Sequence, residues 1–177
     1  MLELRGKLPE IYLLPGELHL AREPAVIRTI LGSCVGITFW SATLGIGALC
    51  HSLLPRRPGS SPAGVKREQG HRYVDFAIRD LAQQFDRLGA RREDVQVKLF
   101  GGADVLAVKN HSKPTIGRLN CEAAIEIVKA EGFVVAASSL GGNAGLNIRF
   151  NTRTGEVLLR RLAPVVFEDV MDEYDEL

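Results

Sequence analysis

Apolar positions recur at two spacings along this chain, and the first spacing predicts strands. In Val95–Phe100, apolar and polar residues alternate as far as Leu99, as expected for a strand with one buried face. Three further β-rich runs are Ala25–Leu31, Val35–Trp40 and Leu44–Leu53, and Phe133–Ala137 is typical of a buried strand. The segments Leu146–Phe150 and Glu156–Leu162 flank the turn residues 151–155 and predict a hairpin.

The second spacing, with apolar residues every three or four positions, predicts two helices. The first runs from about Val74 to Leu88 and is ended by Gly89. The second follows Asn120, a residue type favoured as an N-cap, and stops at Gly132. Together the elements predict an α+β protein: a single-domain α/β sandwich in which helices pack on one side of a mixed β-sheet.

The length of 177 residues predicts one domain over residues 1–177, with its core at about residues 15–162. Residues 56–70 are rich in Pro, Gly and Ser and form the one clear loop. This loop is long for a compact domain, which indicates either a mobile lid or a disordered flap. Residues 168–177 form an acidic C-terminal tail.

Composition narrows the class of function. The net charge is +1, from 22 basic and 21 acidic residues, so nothing indicates a nucleic-acid or membrane surface. The N-terminus has no apolar stretch typical of a signal peptide, and the three Cys form no C-x-x-C motif, which predicts a cytoplasmic location. The four His have no ligand spacing and neither Gly-rich turn is a phosphate-binding motif, so we expect no metal and no cofactor.

Cys34 and His51 are the candidate chemical groups. Cys34 follows a Gly32-Ser33 turn, where backbone N–H groups beside the sulfur are available to hold an oxyanion. A hairpin turning near residues 41–43 would bring residue 34 opposite residue 50 or 51, so that His51 is placed to take the thiol proton. Taken singly, each residue is more often a buried core residue, and it is their pairing that favours chemistry.

Several other residues have two interpretations. Thr29 is either the group that orients His51 or a plain strand residue, and the residues alone favour the latter. The turn 141–145, with Asn143, is either a pocket wall or simple turn geometry. Cys50 would face away from its neighbour His51, and Cys121 would open a helix, where a thiol pKa is lowered.

The chain resembles the CheD family of chemoreceptor glutamine deamidases in an ordered set of motifs. They are Leu31-Gly-Ser-Cys34-Val, His51-x-Leu-Leu-Pro55, Arg72-Tyr73 before Ala77-Ile78, Lys98-Leu-Phe-Gly-Gly-Ala103, Ile116-Gly-Arg-x-Asn120, Gly141-Gly-Asn143 and Thr154-Gly-Glu-Val157 followed by Arg160. The resemblance implies a cytoplasmic chemotaxis enzyme that converts receptor glutamines to glutamates without a cofactor. It also implies an α/β sandwich related to a bacterial deamidating toxin.

The resemblance assigns roles to single residues and suggests partners. It implies that Cys34 is the nucleophile, His51 the base and Thr29 the third member of a triad. The implied partners are the cytoplasmic domains of methyl-accepting chemoreceptors and a CheC-type CheY phosphatase, with Phe100 as the candidate contact; a core aromatic is the alternative for Phe100. Another thiol amidase or peptidase, or a purely regulatory binding protein, remains an alternative, although the presence of both Cys34 and His51 favours an enzyme.

Overall fold

The computed structural model describes residues 7–59, 67–105 and 113–163, which form nine strands and three α-helices. The strands are β1 Glu10–Tyr12, β2 Leu18–Ala21, β3 Val26–Leu31, β4 Val35–Ser41, β5 Ile46–Ser52, β6 Gln96–Gly101, β7 Val135–Leu140, β8 Leu146–Asn151 and β9 Val157–Arg161. The helices are α1 Arg67–Gly70, α2 Val74–Arg87 and α3 Ile116–Ala130, and Arg92–Asp94 form a 3-10 turn.

The strands build two mixed sheets. A five-stranded sheet has the order β2-β5-β4-β6-β7, antiparallel except for the parallel pair β6/β7. A four-stranded sheet has the order β1-β3-β8-β9, antiparallel except for the parallel pair β1/β3. The predicted α+β class and the β8/β9 hairpin are confirmed; the second sheet was not foreseen.

The five-stranded sheet is the middle of three layers. Successive side chains of a strand point to opposite faces, so Val35, Ile37 and Phe39 of β4 pack beneath the helices. The face bearing Trp40 meets the four-stranded sheet, where Ile27, Leu31, Leu49, Phe100, Leu146, Ile148 and Phe150 form a second core. The helices therefore cover one side of the middle sheet, as predicted, and a second sheet covers the other.

The hairpin of β4 and β5 is confirmed, but its register differs from the prediction. The turn occupies residues 42–45, with Gly45 at φ +64°, and Gly36 lies opposite His51. Val35 lies opposite Ser52, so residue 34 falls beside residue 53, two residues beyond the expected His51 and within the expected error of register, because the chain turns later than residues 41–43. Cys34 lies in the link between β3 and β4, where the chain passes from one sheet to the other.

Two element boundaries also differ from the sequence prediction. Helix α2 is as predicted, but α3 begins at Ile116, and Thr115 is its N-cap, with a side chain that accepts a hydrogen bond from Arg118 N–H. The assignment of Asn120 as N-cap was therefore wrong: Asn120 is a buried residue inside α3. Strand β7 begins two residues later than predicted, because Phe133 packs into the helix-side core before the strand starts. The prediction of a buried strand was wrong, since β7 is an edge strand with no fully buried residue.

The predicted loop and tail lie partly outside the described residues. Within residues 56–70, the last four form the short helix α1, whereas residues 60–66 are outside the described part. The acidic tail 168–177 also lies outside it.

Candidate active site

The central contact of the site joins residues from different sheets. His51 on β5 and Thr29 on β3 are both buried, and Thr29 Oγ1 lies 2.8 Å from His51 Nδ1. The main chain of His51 is also held, since its N–H donates to the Glu17 carbonyl at 2.9 Å and its carbonyl accepts from Gly16 N–H at 2.7 Å. His51 is thus held both by its main chain and by its ring.

The hydrogen bonds of Thr29 determine the tautomer of His51. The Thr29 hydroxyl donates to the Leu13 carbonyl at 2.7 Å. A hydroxyl has a single hydrogen, so its contact with His51 must be one in which the ring Nδ1–H donates. Nε2 then carries the lone pair, and this atom is buried without a hydrogen-bond partner among the described residues. The arrangement presents an unprotonated nitrogen, as a general base requires.

Burial keeps the imidazole neutral. Desolvation lowers the pKa of His51 to about 4, against the smaller opposing effects of the Leu13 carbonyl and the Glu17 charge. At neutral pH the ring is therefore uncharged and able to accept a proton.

The turn that carries Cys34 is held by its carbonyl groups. Three successive carbonyls each accept one hydrogen bond: Gly32 from Ala103 N–H at 2.9 Å, Ser33 from the Asn120 side-chain amide at 2.9 Å, and Cys34 from Gly102 N–H at 2.8 Å. The N–H groups of Ser33 and Cys34 donate to no other described residue. The turn is thus anchored through its acceptors while two donors beside the sulfur stay available to a developing oxyanion.

Cys34 and His51 belong to the same layer of the molecule. Cys34 is half-buried and packs against the core between the sheets, the space into which the His51 ring also projects. Gly36, opposite His51, has no side chain to fill that space; a Cβ there would lie 2.9 Å from Leu31 Cδ1. Burial raises the pKa of the Cys34 thiol, and its own backbone N–H opposes that effect. The resting pair is therefore a thiol and a neutral imidazole, with no hydrogen bond between them in this structure.

The other two cysteines have different surroundings. Cys50 is fully buried beneath the helices, on the opposite face of β5 from His51, and its pKa is raised to about 12 by burial. Cys121 was predicted to open a helix, but it is the sixth residue of α3. Its pKa is raised by burial rather than lowered, so that expectation was wrong.

The sequence offered two further candidates, Phe100 and Asn143. Phe100 is only 4% exposed and belongs to the core between the sheets, so the prediction of a surface contact was wrong and the core alternative describes it. Asn143 is exposed, and its side chain makes no hydrogen bond to a described residue. Its loop contacts the segment after β6, since Asp104 N–H donates to the Gly142 carbonyl at 2.8 Å, and the neighbouring Gly102 and Ala103 bond to the Cys34 turn.

Asn120 is a site residue that the sequence prediction assigned to another role. Its side-chain amide donates to the carbonyls of Ser33 and Leu53, both at 2.9 Å. The signal was present, since residue 120 falls on the helix face otherwise formed by buried Gly117, Ala123, Ala124, Ile127 and Val128. A polar amide on an apolar face needs partners, and here they are the two backbone segments around Cys34 and His51.

An open groove runs beside the end of β5. It has a volume of about 630 Å³ and is lined by Pro15, Gly16, Leu53, Glu68, Gln69, Arg72 and Tyr73. Gly16 bonds to the His51 backbone, and Leu53 is joined to Ser33 through Asn120, so the groove borders the site.

Among the described residues, no group of three or more His, Cys, Asp or Glu side chains is arranged to hold a metal ion. No helix in the described ranges is long and apolar enough to cross a membrane.

The matching family model and two relatives of this chain share one description. The family model for CheD, chemotactic sensory transduction, matches residues 53–161. The chain is 43% identical to the probable chemoreceptor glutamine deamidase CheD 2 of Geobacter sulfurreducens, over 88% of this chain and 92% of that protein. It is 36% identical to the probable chemoreceptor glutamine deamidase CheD of Maridesulfovibrio salexigens, over 89% and 94%. Among solved structures, the hypothetical protein YfiH of Bacillus licheniformis aligns with a TM-score of 0.46 and 9% identity, over 70% of this chain and 50% of that one.

Proposed function

The chain belongs to the CheD family, and we propose that it is a protein-glutamine deamidase that converts chemoreceptor glutamines to glutamates through a thioester on Cys34. The family match and the names of the relatives support the activity and the substrate. The substrates are the cytoplasmic domains of methyl-accepting chemoreceptors, so the enzyme acts in the cytoplasm.

The first half of the reaction forms the thioester. His51 Nε2 takes the thiol proton of Cys34 as the sulfur attacks the carboxamide carbon of the glutamine. The negative charge moves to the carboxamide oxygen, which accepts hydrogen bonds from the N–H groups of Ser33 and Cys34. When this intermediate collapses, the proton on Nε2 passes to the departing nitrogen, and ammonia leaves.

The second half releases the product. A water molecule gives a proton to Nε2 and attacks the thioester carbon, and the same nitrogen returns that proton to the sulfur. One water is consumed, one ammonia is released, and glutamine becomes glutamate. Thr29 remains a hydrogen-bond acceptor for Nδ1–H throughout and stabilises the imidazolium that forms in both halves.

The observation that carries the proposal is the state of His51. The contact with Thr29 leaves its Nε2 unprotonated, buried and without a partner among the described residues. A buried polar atom without a partner costs stability, so a functional role gives the arrangement a physical reason.

The test is mass spectrometry of purified chemoreceptor cytoplasmic domains after incubation with the wild-type protein or with Cys34→Ala. We expect glutamine-containing peptides to gain the mass of one NH2-to-OH exchange with the wild-type protein alone. Cleavage of the receptor backbone would instead indicate a thiol peptidase. No change in the receptor with either protein would contradict the proposal and favour a binding role.

A further inference from the structure

We propose that Asn120 is a positioning residue for the reaction: its side-chain amide holds the turn of Cys34 against the segment that follows His51. This inference rests on the proposed function, because it concerns the distance between nucleophile and base. Asn120 does not touch the reacting atoms and acts only through the backbone.

The geometry of the amide defines its role. An NH2 group has two hydrogens, and both are used, one on the Ser33 carbonyl and one on the Leu53 carbonyl, each at 2.9 Å. Both partners are acceptors, so the amide orientation is fixed by its contacts. Ser33 directly precedes Cys34 and Leu53 follows His51 by two residues, so one rigid group spans the two segments that carry the reactive side chains.

The other bonds of the turn do not make this connection. The carbonyls of Gly32 and Cys34 accept from Ala103 and Gly102, which lie just after β6. They fix the turn relative to β6, on the side of β4 away from β5. Within the described ranges, Asn120 supplies the side-chain link between the Cys34 turn and the end of β5.

The local cost of Asn120 argues against a purely structural role. The residue is fully buried on the apolar face of α3, where Asn is a poor helix former. It is not the cap of the helix, because Thr115 fills that position. Its Oδ1 is buried and has no hydrogen-bond partner among the described residues. An apolar residue would avoid these costs but would leave the two carbonyls without their donor.

The test compares Asn120→Leu and Asn120→Asp with Ile127→Val, a control on the buried face of the same helix. Asp keeps the size of Asn but loses the NH2 group. Two quantities are measured on folded protein: kcat and KM for receptor deamidation, and the rate at which iodoacetamide modifies Cys34 without receptor, quantified by peptide mapping. Folding is verified by the thermal unfolding midpoint.

We expect both Asn120 variants to lose about tenfold or more in kcat, with KM within about twofold, because ground-state binding of the receptor is untouched. The alkylation rate of Cys34 should change by about threefold or more in both Asn120 variants, because release of the turn alters the burial that raises the pKa of the thiol, whereas Ile127→Val retains the wild-type kcat and alkylation rate. Wild-type kcat and Cys34 reactivity in a folded Asn120 variant would overturn the inference. An equal loss of kcat in Ile127→Val, or failure of both Asn120 variants to fold, would show that Asn120 contributes to stability, and this would overturn the inference as well.

The alkylation measurement separates the two levels of the proposal. If the wild-type protein deamidates no receptor, the proposed function fails, while the Cys34 rates still show whether Asn120 positions the thiol. If the wild-type protein is active and the Cys34 rates are equal in all variants, the positioning inference alone fails.

Discussion

Thr29 Oγ1 and His51 Nδ1 are 2.8 Å apart although the two residues belong to different sheets. The hydroxyl donates a hydrogen bond to the Leu13 carbonyl and accepts one from the ring Nδ1–H. Through these two hydrogen bonds the Leu13 carbonyl, which follows β1, determines which nitrogen of His51 is basic.

Replacing Thr29 with Val should lower kcat by about 10-fold to 100-fold, less than the roughly 10²–10⁴ that a general base contributes. Val has nearly the same shape but cannot accept from Nδ1–H, so the ring loses its preferred tautomer. Thr29→Ser keeps the hydroxyl and should remain within a few-fold of the wild type. Steady-state deamidation kinetics measure both, and full activity in Thr29→Val would show that another group orients the imidazole.

Cys34→Ala and His51→Ala should each lower deamidation by at least about 1,000-fold, because each removes a group that makes or breaks a bond. Both should retain the far-UV circular dichroism of the wild type. The matched control is Cys50→Ala, which removes a thiol on the opposite face of β5. Residual activity in His51→Ala near that of the wild type would refute the mechanism.

Cys34 should react with iodoacetamide faster than Cys50 or Cys121, and its rate should still be rising at pH 9. The pKa of the thiol is raised by burial and that of His51 is lowered to about 4, so no thiolate–imidazolium pair forms at rest. The rate should increase by about tenfold per pH unit from pH 7 upward, in proportion to thiolate. A plateau already reached below pH 7 would show a pre-formed ion pair.

Acidification should destabilise the fold through His51. Its pKa is about 4 in the folded chain, whereas its ordinary value is 6.5, so the unfolded chain binds more protons between these limits. The stabilisation from keeping the ring neutral is complete above pH 6.5 and is lost as pH falls to 4, by up to about 3 kcal/mol. His51→Gln lacks this effect.

Urea unfolding of both proteins at pH 7 and pH 4.5 measures the difference. The free energy of unfolding of the wild type should fall further than that of His51→Gln, and groups common to both proteins cancel in the comparison. Parallel losses in the two proteins would contradict the lowered pKa.

The sequence was sufficient to predict those parts of the site that depend on residues close together in the chain. The apolar runs on either side of residues 42–45 predicted the hairpin, and the Gly-Ser turn indicated where Cys34 lies. The spacing of residues could not identify the partner of His51, because Thr29 belongs to the other sheet. Strand β5 is buried on both faces, and the sequence of such a strand does not show whether a helix or a second sheet covers each face. Asn120 was misassigned because Ile116 and Gly117 weaken the helical signal at the true start of α3.

The position of Cys34 between the two sheets has a consequence for how activity is lost. The link of residues 32–34 is short, so any sliding of one layer over the other is transmitted directly to the sulfur. The same movement opens the Thr29–His51 contact and admits water to the ring, which restores the affinity of the imidazole for protons. Loosening of the two layers would thus abolish deamidation while each sheet is still intact. Loss of activity therefore detects a loss of contact between the sheets before a change in secondary-structure content does.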